Sequence, residues 1–180
     1  MDALISAANT LLTETAEEGK RAQAAAAAVL DLVYEDVRTS RVNDPSRHLP
    51  GGCHVMVANA GAVMGGEVKA KPVSQEEPVS FARQPREAGV GRGIYLALAT
   101  NQNALDVEAL HWTALLEHQV LLEVKTDMSQ LVREPLRWSR FSLEEALGRF
   151  PDFLRQRLIE LEVQDATIDR WAALCESLAK

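Results

Sequence analysis

An apolar run, GIYLALAT at residues 93–100, decides much of the architecture before any motif is considered. The run has the length of a strand and lacks the alternation of apolar and polar residues that a half-exposed strand shows. It is therefore typical of a central strand that is covered on both faces. The chain has 180 residues, 47% of them hydrophobic, which is enough for a single domain with a sizeable core.

The segment before this run predicts two helices and a hairpin. The first helix covers about Asp2 to Glu18, with Gly19 able to end it, and the second runs from about Lys20 to Arg38 through a run of alanines that favours a close helix contact. The loop RVNDPSRHLPGG follows. Two β-like runs, CHVMVA and AVMGGEVKAK, then flank a turn-compatible NAG and predict a β-hairpin.

The rest of the chain predicts helices around one further buried strand. Ser74 and Glu77 have the spacing of a capping box, so a helix begins there, and Pro85 must kink or end it. A helix from about Asp106 to His118 and the buried run QVLLEVK follow, and the tail from about Ser142 predicts helices that break at Pro151 and near residues 164–165.

This order of elements predicts an α/β fold with a central mixed sheet flanked by helices, and with extra helices at both ends. We expect a single domain of residues 1–180, made of a helical lead-in at 1–38, a sheet core at 39–126 and a helical tail at 127–180.

The charge distribution limits the classes of partner. A net charge of −7 argues against a general nucleic-acid binder, but residues 37–140 hold eleven acids and twelve bases, so a polyanion is least repelled there. The arginines of this region that we predict to contact nucleic acid are Arg41, Arg47, Arg83, Arg86 and Arg92. The alternative is that these arginines only decorate a solvated surface.

The sequence gives no sign of export or of a membrane. Asp2 is an acid, no basic residue precedes Lys20, and no apolar run reaches the length of a membrane span. Cys53 and Cys175 lack the spacing of a metal site and suit a reducing compartment. We therefore expect a cytoplasmic protein.

The tripeptide Glu-Val-Lys occurs twice, at residues 67–69 and 123–125. On a strand, Glu67 and Lys69 point to one face about 7 Å apart. A carboxylate can bind Mg²⁺, and a lysine beside it can hold an attacking water or the scissile phosphate, as metal-dependent phosphodiester cleavage requires. We favour the first copy because it lies on a hairpin that a helix and a buried strand follow. The alternative is an ordinary solvated strand face.

The wider context of the first copy resembles a known nuclease family. The segments that carry the resemblance are RHLPGG, HVMV, NAG, GGEVKAKPVSQEEPVSFARQ and GVGRGIYLALAT. Their order resembles the PD-(D/E)xK nuclease core of helix, three strands, helix and strand, and more narrowly the SacI-type restriction endonucleases. The catalytic strand of that family has the form E-V-K-x-K-P and leads into an acidic helix. The resemblance covers about residues 40–125 and implies a restriction-endonuclease-like core with Glu67, Lys69 and Lys71 as catalytic residues.

The resemblance also implies a second metal ligand at a place where this sequence has none. SacI-type enzymes open the first hairpin strand with Gly-Asp, and the corresponding place here holds Gly51-Gly52. The carboxylates that could complete a metal site with Glu67 are Asp44 in the loop and Glu35 or Asp36 at the end of the second helix. His54 suits a softer metal such as Mn²⁺ or Zn²⁺.

The function expected from the resemblance is that of a type II restriction-type endodeoxyribonuclease. It implies Mg²⁺ as cofactor, with Mn²⁺ as a possible substitute, double-stranded DNA as substrate, a homodimer and a companion methyltransferase. One alternative is a catalytically disabled nuclease-like fold that binds DNA or a protein. Another is an acidic, helix-rich interaction protein, which the negatively charged ends of the chain favour.

Overall fold

A computed structural model describes residues 1–14, 17–40, 51–58 and 60–178 of the chain. These residues divide into two compact units. A helical unit consists of residues 1–35 and 128–180, and a sheet unit consists of residues 36–127. The expected grouping of the whole chain into one nuclease-like domain stays a prediction.

Seven α-helices and five strands form in the described part of the chain. The helices are α1 Asp2–Glu14, α2 Lys20–Asp31, α3 Glu76–Glu87, α4 Val107–His118, α5 Met128–Arg137, α6 Leu143–Glu160 and α7 Asp165–Leu178. The strands are β1 Asp36–Thr39, β2 Cys53–Val57, β3 Gly61–Lys69, β4 Arg92–Ala97 and β5 Leu121–Lys125. No helix among the described residues is both long enough and apolar enough to cross a membrane.

The sheet unit is a mixed five-stranded sheet in the order β1-β2-β3-β4-β5. The first three strands pair antiparallel, as hairpin-type connections allow, and β3, β4 and β5 pair parallel through the crossover helices α3 and α4. The predicted α/β class with a central mixed sheet is confirmed. The elements from α2 to β4 follow the order helix, three strands, helix and strand, which is the order that the resemblance implies.

The central position of β4 follows from its composition. Its residues after Arg92 are all buried, and it has a strand neighbour on each side. On one face of β4, Tyr95 and Ala97 join a core with side chains from both crossover helices. The members of this core are Val73, Phe81, Ala82, Tyr95, Ala97, Leu110, Ala114, Val120, Leu122 and Val124. This face, called the crossover-helix face below, is also the face of the candidate site.

The prediction that the second helix reaches Arg38 is wrong. The helix ends at Asp31, and residues 36–39 form β1, which pairs with β2. Val33 and Val37 continue the apolar spacing of the helix, so the local pattern favours a longer helix. In the structure, Val37 is buried in the sheet instead, and Arg38 is paired with Asp36 at 2.9 Å on the exposed side.

The predicted break at Pro151 is also wrong, whereas the break near residues 164–165 is confirmed. α6 continues through Pro151, and its buried face keeps one spacing before and after the proline, at Ala146, Phe150, Leu154 and Leu158. The indole N–H of Trp171 donates to the Pro151 carbonyl at 2.9 Å. Burial of this continuous apolar stripe outweighs the hydrogen bond that a helical proline removes.

The helical unit is held by close packing around α2 and by buried ion pairs, among them that of Arg21 with Glu17. The alanines of α2 are buried, and α2 packs against α6, which confirms the predicted close helix contact. Arg21 donates to Glu17 at 2.5 Å, to Thr167 at 2.5 Å and to the Leu11 carbonyl at 2.8 Å. These bonds satisfy a buried guanidinium that would otherwise be costly to desolvate.

This ion pair makes the stability of the helical unit depend on pH. Burial raises the pKa of the Glu17 carboxyl, but hydrogen bonds from Thr167 and Arg21 outweigh it and hold the pKa below its usual range. Because the pKa is lower in the folded than in the unfolded state, the ionised Glu17 carboxylate stabilises the fold at pH values above the unfolded pKa of about 4.3. This stabilisation is lost as the pH falls through the folded-state pKa.

We predict that Glu17→Gln flattens the dependence of unfolding free energy on pH between about pH 5 and pH 3. At neutral pH the substitution should cost about 3 kcal/mol, because Arg21 stays buried without its counter-charge. Urea unfolding at several pH values measures both effects. Glu176→Gln, at an exposed position of α7, is the control. An unchanged pH profile in Glu17→Gln would contradict the assignment.

Candidate functional site

The predicted catalytic pair lies at the carboxyl end of β3. Glu67 pairs with Tyr95 and Lys69 with Ala97 in the parallel register of β3 with β4, so both side chains lie on the crossover-helix face. The Lys69 Nζ lies 2.6 Å from the Glu67 Oε1, and the two side chains are only 32% and 16% exposed. The sequence-based expectation that both residues share a face is therefore met, in a partly buried position.

The second Glu-Val-Lys copy makes the same ion pair in a different place. Lys125 Nζ lies 2.6 Å from Glu123 Oε1, but Glu123 is 50% exposed. Glu123 pairs with Ile94, which points to the opposite face of the sheet from Tyr95. β5 is also the last strand of the sheet. Both Glu-Val-Lys copies thus form an ion pair between their glutamate and lysine. The position in the sheet and the exposure of the glutamate distinguish the two copies.

Two glycines bring β2 close to Glu67. Cys53 pairs with Gly66, the last pair of the antiparallel register, and the Gly52 N–H donates to the Gly66 carbonyl at 2.7 Å beside a parallel bridge between Gly51 and Gly66. The Gly51-Gly52 backbone therefore lies against Gly66, the residue before Glu67, and its two glycines bring no carboxylate there.

The close approach of this backbone to Gly66 requires a glycine at position 51. Its φ is +81°, and an added Cβ would lie 2.2 Å from the Gly66 carbonyl oxygen and 3.1 Å from the Phe81 ring. Neither the left-handed backbone nor the contact with a backbone oxygen tolerates a side chain.

We predict that Gly51→Ala destabilises the protein by at least about 2 kcal/mol more than Gly61→Ala. Gly61 also has a left-handed φ, of +73°, but an added Cβ there would meet no described atom within 4 Å. The pair of variants therefore separates backbone strain from the clash with β3. Chemical unfolding measures both, and equal losses would show that the close approach is not needed.

Tyr95 lies next to Glu67 and was not identified from the sequence as a site residue. It is 1% exposed, and its ring packs at a tilt against Phe81 with the centroids 5.7 Å apart. Among the residues that the structure describes, its hydroxyl has no hydrogen-bond partner. Burial raises the pKa of Tyr95, and the charges of Glu77 and Glu67 raise it further. The hydroxyl is therefore neutral and able to donate a hydrogen bond.

Glu77, predicted only as a capping residue, lies in the first turn of α3. The Ser74 N–H donates to Glu77 Oε1 at 3.0 Å, which confirms that half of the predicted capping box. Two reciprocal amide pairs fix this end of the helix. Gln102 bonds the backbone of Val73 in both directions, at 2.9 and 3.1 Å, and Gln75 bonds the backbone of Asp106 likewise, at 3.0 and 3.1 Å.

The other predicted catalytic and metal residues lie outside this group. Lys71 follows β3 and is exposed. Glu35 belongs to the helical unit, where its carboxylate is 88% exposed and lies 3.7 Å from Arg140. Asp44 lies outside the described residues, as do Arg41 and Arg47.

The described arginines lie away from Glu67 within the sheet unit. Arg83 and Arg86 lie in the second half of α3, and Arg83 is 70% exposed. Arg86 is about 13 Å farther along the helix than Glu77. Arg92 begins β4, about 10 Å of strand before Tyr95. These three arginines therefore lie toward the end of the sheet unit where β4 begins, away from the candidate site.

His54 is on the same face as Glu67 but is bonded elsewhere. It pairs with Gly65 in the sheet, is 3% exposed, and its Nε2 lies 3.2 Å from the Ser40 hydroxyl. The Ser40 hydroxyl in turn donates to the Gly51 carbonyl at 3.2 Å. Through Ser40, the buried His54 side chain therefore helps to support the backbone at Gly51 and Gly52.

A hard cation fits the donor set of this site better than a soft one does. Within the described ranges no group of three or more His, Cys, Asp or Glu side chains could hold a metal ion. Mg²⁺, however, is commonly bound by one or two carboxylates together with waters and phosphate oxygens. Glu67 offers one carboxylate, and the buried Tyr95 hydroxyl is a polar atom that still needs a partner.

The sheet order and the placement of Glu67 and Lys69 on its third strand are compatible with a restriction-endonuclease-like core. Sequence comparison supports the same relationship. The chain is 32% identical over 157 residues to the type II restriction enzyme SacI of Streptomyces achromogenes, a match that covers 86% of this chain and 43% of SacI. The chain thus spans less than half the length of the curated relative that it matches. No family model matches the chain.

Proposed function

We propose that the protein is a metal-dependent endodeoxyribonuclease of the type II restriction class, a member of the PD-(D/E)xK nucleases. The observation that carries this proposal is the partly buried Glu67–Lys69 pair on the third strand of the mixed sheet. The similarity to SacI over 86% of the chain supports it. The pair of the same sequence at Glu123 and Lys125, whose carboxylate is 50% exposed and which lies on the opposite face of the last strand, lacks this setting.

In this proposal each residue has a separate task. The Glu67 carboxylate binds the cation, and the Lys69 ammonium holds the attacking water or the scissile phosphate and offsets its negative charge. Lys71, exposed just beyond the strand, adds positive charge for the DNA backbone. Bound Mg²⁺ would polarise the phosphate and lower the pKa of a coordinated water. Hydrolysis then forms a bond from water oxygen to phosphorus, breaks the bond to the leaving oxygen and transfers a proton to it.

The substrate and partners belong to the proposal as well. Double-stranded DNA follows from the type of enzyme, and Arg83, Arg86 and Arg92 could contact its backbone away from the reacting phosphate. Mn²⁺ is expected to replace Mg²⁺. A homodimer, a companion methyltransferase and a cytoplasmic location are implied by the resemblance or the composition and stay predictions.

We predict that the purified protein cleaves plasmid DNA with Mg²⁺ or Mn²⁺ and not in the presence of EDTA. Lys69→Ala should reduce cleavage at least about 100-fold, because the transition state loses the positive charge next to the reacting phosphate. The matched control is Lys125→Ala, which breaks the same ion pair on the opposite face and should leave cleavage nearly unchanged. Gel electrophoresis measures the rates, and circular dichroism checks that both variants are folded.

A specific observation favours a second function, that of a disabled nuclease fold that binds DNA or protein. The backbone that lies against Gly66, the residue before Glu67, is Gly51-Gly52, without the aspartate that the resemblance implies there. DNA binding without metal, together with no nicking under any metal, would leave this second function and exclude the first.

Gly52→Asp separates an intact site from a disabled one. If another carboxylate already completes the site, we expect the variant to cleave at about the rate of the unmodified protein. A large gain of activity would instead show that the site has lost its second ligand. The assay is the same plasmid cleavage, with Gly52→Asn as the control for side-chain size without charge.

A further inference from the structure

The hydroxyl of Tyr95 is a buried polar atom for which the described fold supplies no hydrogen-bond partner. A buried hydroxyl without a partner is uncommon, and in native proteins it usually indicates a water, an ion or a functional group at that point. The carboxylates whose charges act on this hydroxyl are those of Glu77 and Glu67. Glu67 and Tyr95 are register partners on the crossover-helix face, and the Tyr95 ring contacts Phe81 of α3, the helix that carries Glu77.

The geometry of α3 explains how Glu77 reaches this group. Glu77 and Phe81 are four residues apart, so they lie on the same stripe of the helix, one turn apart. Phe81 is buried, and its ring contacts the ring of Tyr95. Glu77 therefore lies on the stripe of α3 that faces the sheet, at its amino-terminal end. Tyr95 is in turn the register partner of Glu67.

The start of α3 is held rigidly enough to place a carboxylate. Glu77 Oε1 accepts the Ser74 N–H, which fixes the side chain and leaves the second carboxylate oxygen available. The amide pairs of Gln75 and Gln102 join the segment before α3 to the segment after β4. Two segments that follow neighbouring parallel strands are therefore fastened together beside the ends of those strands.

We propose that Glu77 is the second carboxylate of the candidate site, that it binds one divalent cation together with Glu67, and that the Tyr95 hydroxyl donates a hydrogen bond to the occupied site. The inference rests on the proposed function for its catalytic use, whereas the binding of the cation is independent of cleavage. It assigns to a helix the carboxylate that Gly52 does not provide from the neighbouring strand.

The test is the binding of Mn²⁺ to the full chain, followed by electron paramagnetic resonance of the free ion. Glu67→Gln and Glu77→Gln should each weaken binding at least about tenfold. Glu77→Gln keeps an oxygen that can accept the Ser74 N–H, so the helix start is preserved. The matched control is Glu76→Gln, which removes the same charge from the same helix turn at an exposed position and should leave the affinity nearly unchanged.

Two further variants keep the inference open to refutation if Glu77→Gln fails to fold. Glu77→Asp retains the charge but withdraws the carboxylate by one methylene, and it should also weaken Mn²⁺ binding. Tyr95→Phe removes only the hydroxyl and should weaken binding less than the loss of either carboxylate does. Unchanged Mn²⁺ affinity in folded Glu77→Gln or Glu77→Asp would overturn the inference, as would the absence of Mn²⁺ binding in the unmodified protein.

Plasmid cleavage by the same variants distinguishes this inference from the proposed function. Mn²⁺ binding that depends on Glu67 and Glu77, without cleavage by the unmodified protein, would support the inferred site and refute the nuclease. Cleavage that needs Lys69 but is unaffected by Glu77→Gln would support the nuclease and overturn the inferred ligand.

Discussion

The parallel pairing of β3 with β4 is the contact on which the candidate site depends. It sets Glu67 beside Tyr95, and because Tyr95 belongs to the apolar core, it holds a charged pair at the border of that core. A slip of one residue in this register would turn Glu67 and Lys69 to the other face. Tyr95 and Ala97, opposite these two residues on β4, are buried in the apolar core at 1% and 0% exposure, so the strand against which β3 is registered is itself fixed by burial. The chemistry of the site is thus positioned by hydrophobic burial in the neighbouring strand.

The two Glu-Val-Lys copies show how far a short motif determines its own behaviour. Both form a 2.6 Å ion pair, because the side-chain period of a strand brings residues two apart to one face. The difference lies in the environment. Glu67 is 16% exposed and Glu123 is 50% exposed, so a charge at Glu67 is less screened by water. A motif search finds both copies equally, and only tertiary structure separates them.

Features that depend on local pattern could be predicted from the sequence. The covered strand, the hairpin and the shared face of Glu67 and Lys69 follow from apolar runs, turn residues and a period of two. β1 could not be predicted, because Val33 and Val37 fit a helix locally and only pairing with β2 makes residues 36–39 a strand. The uninterrupted α6 was missed for the same reason, since packing and not propensity carries the helix past Pro151.

The candidate second ligand shows the same limit in the site itself. Spacing identified Glu77 as a capping residue, and it does accept the Ser74 N–H, but nothing local connects it with Glu67. The connection needs the crossover helix to pack on β4, so that the stripe of Glu77 and Phe81 meets Tyr95. A site completed from a helix and a site completed from the neighbouring strand offer a cation the same oxygen chemistry. The glycine at position 52 therefore does not by itself establish a disabled enzyme, because the fold brings another carboxylate to the same face of the sheet.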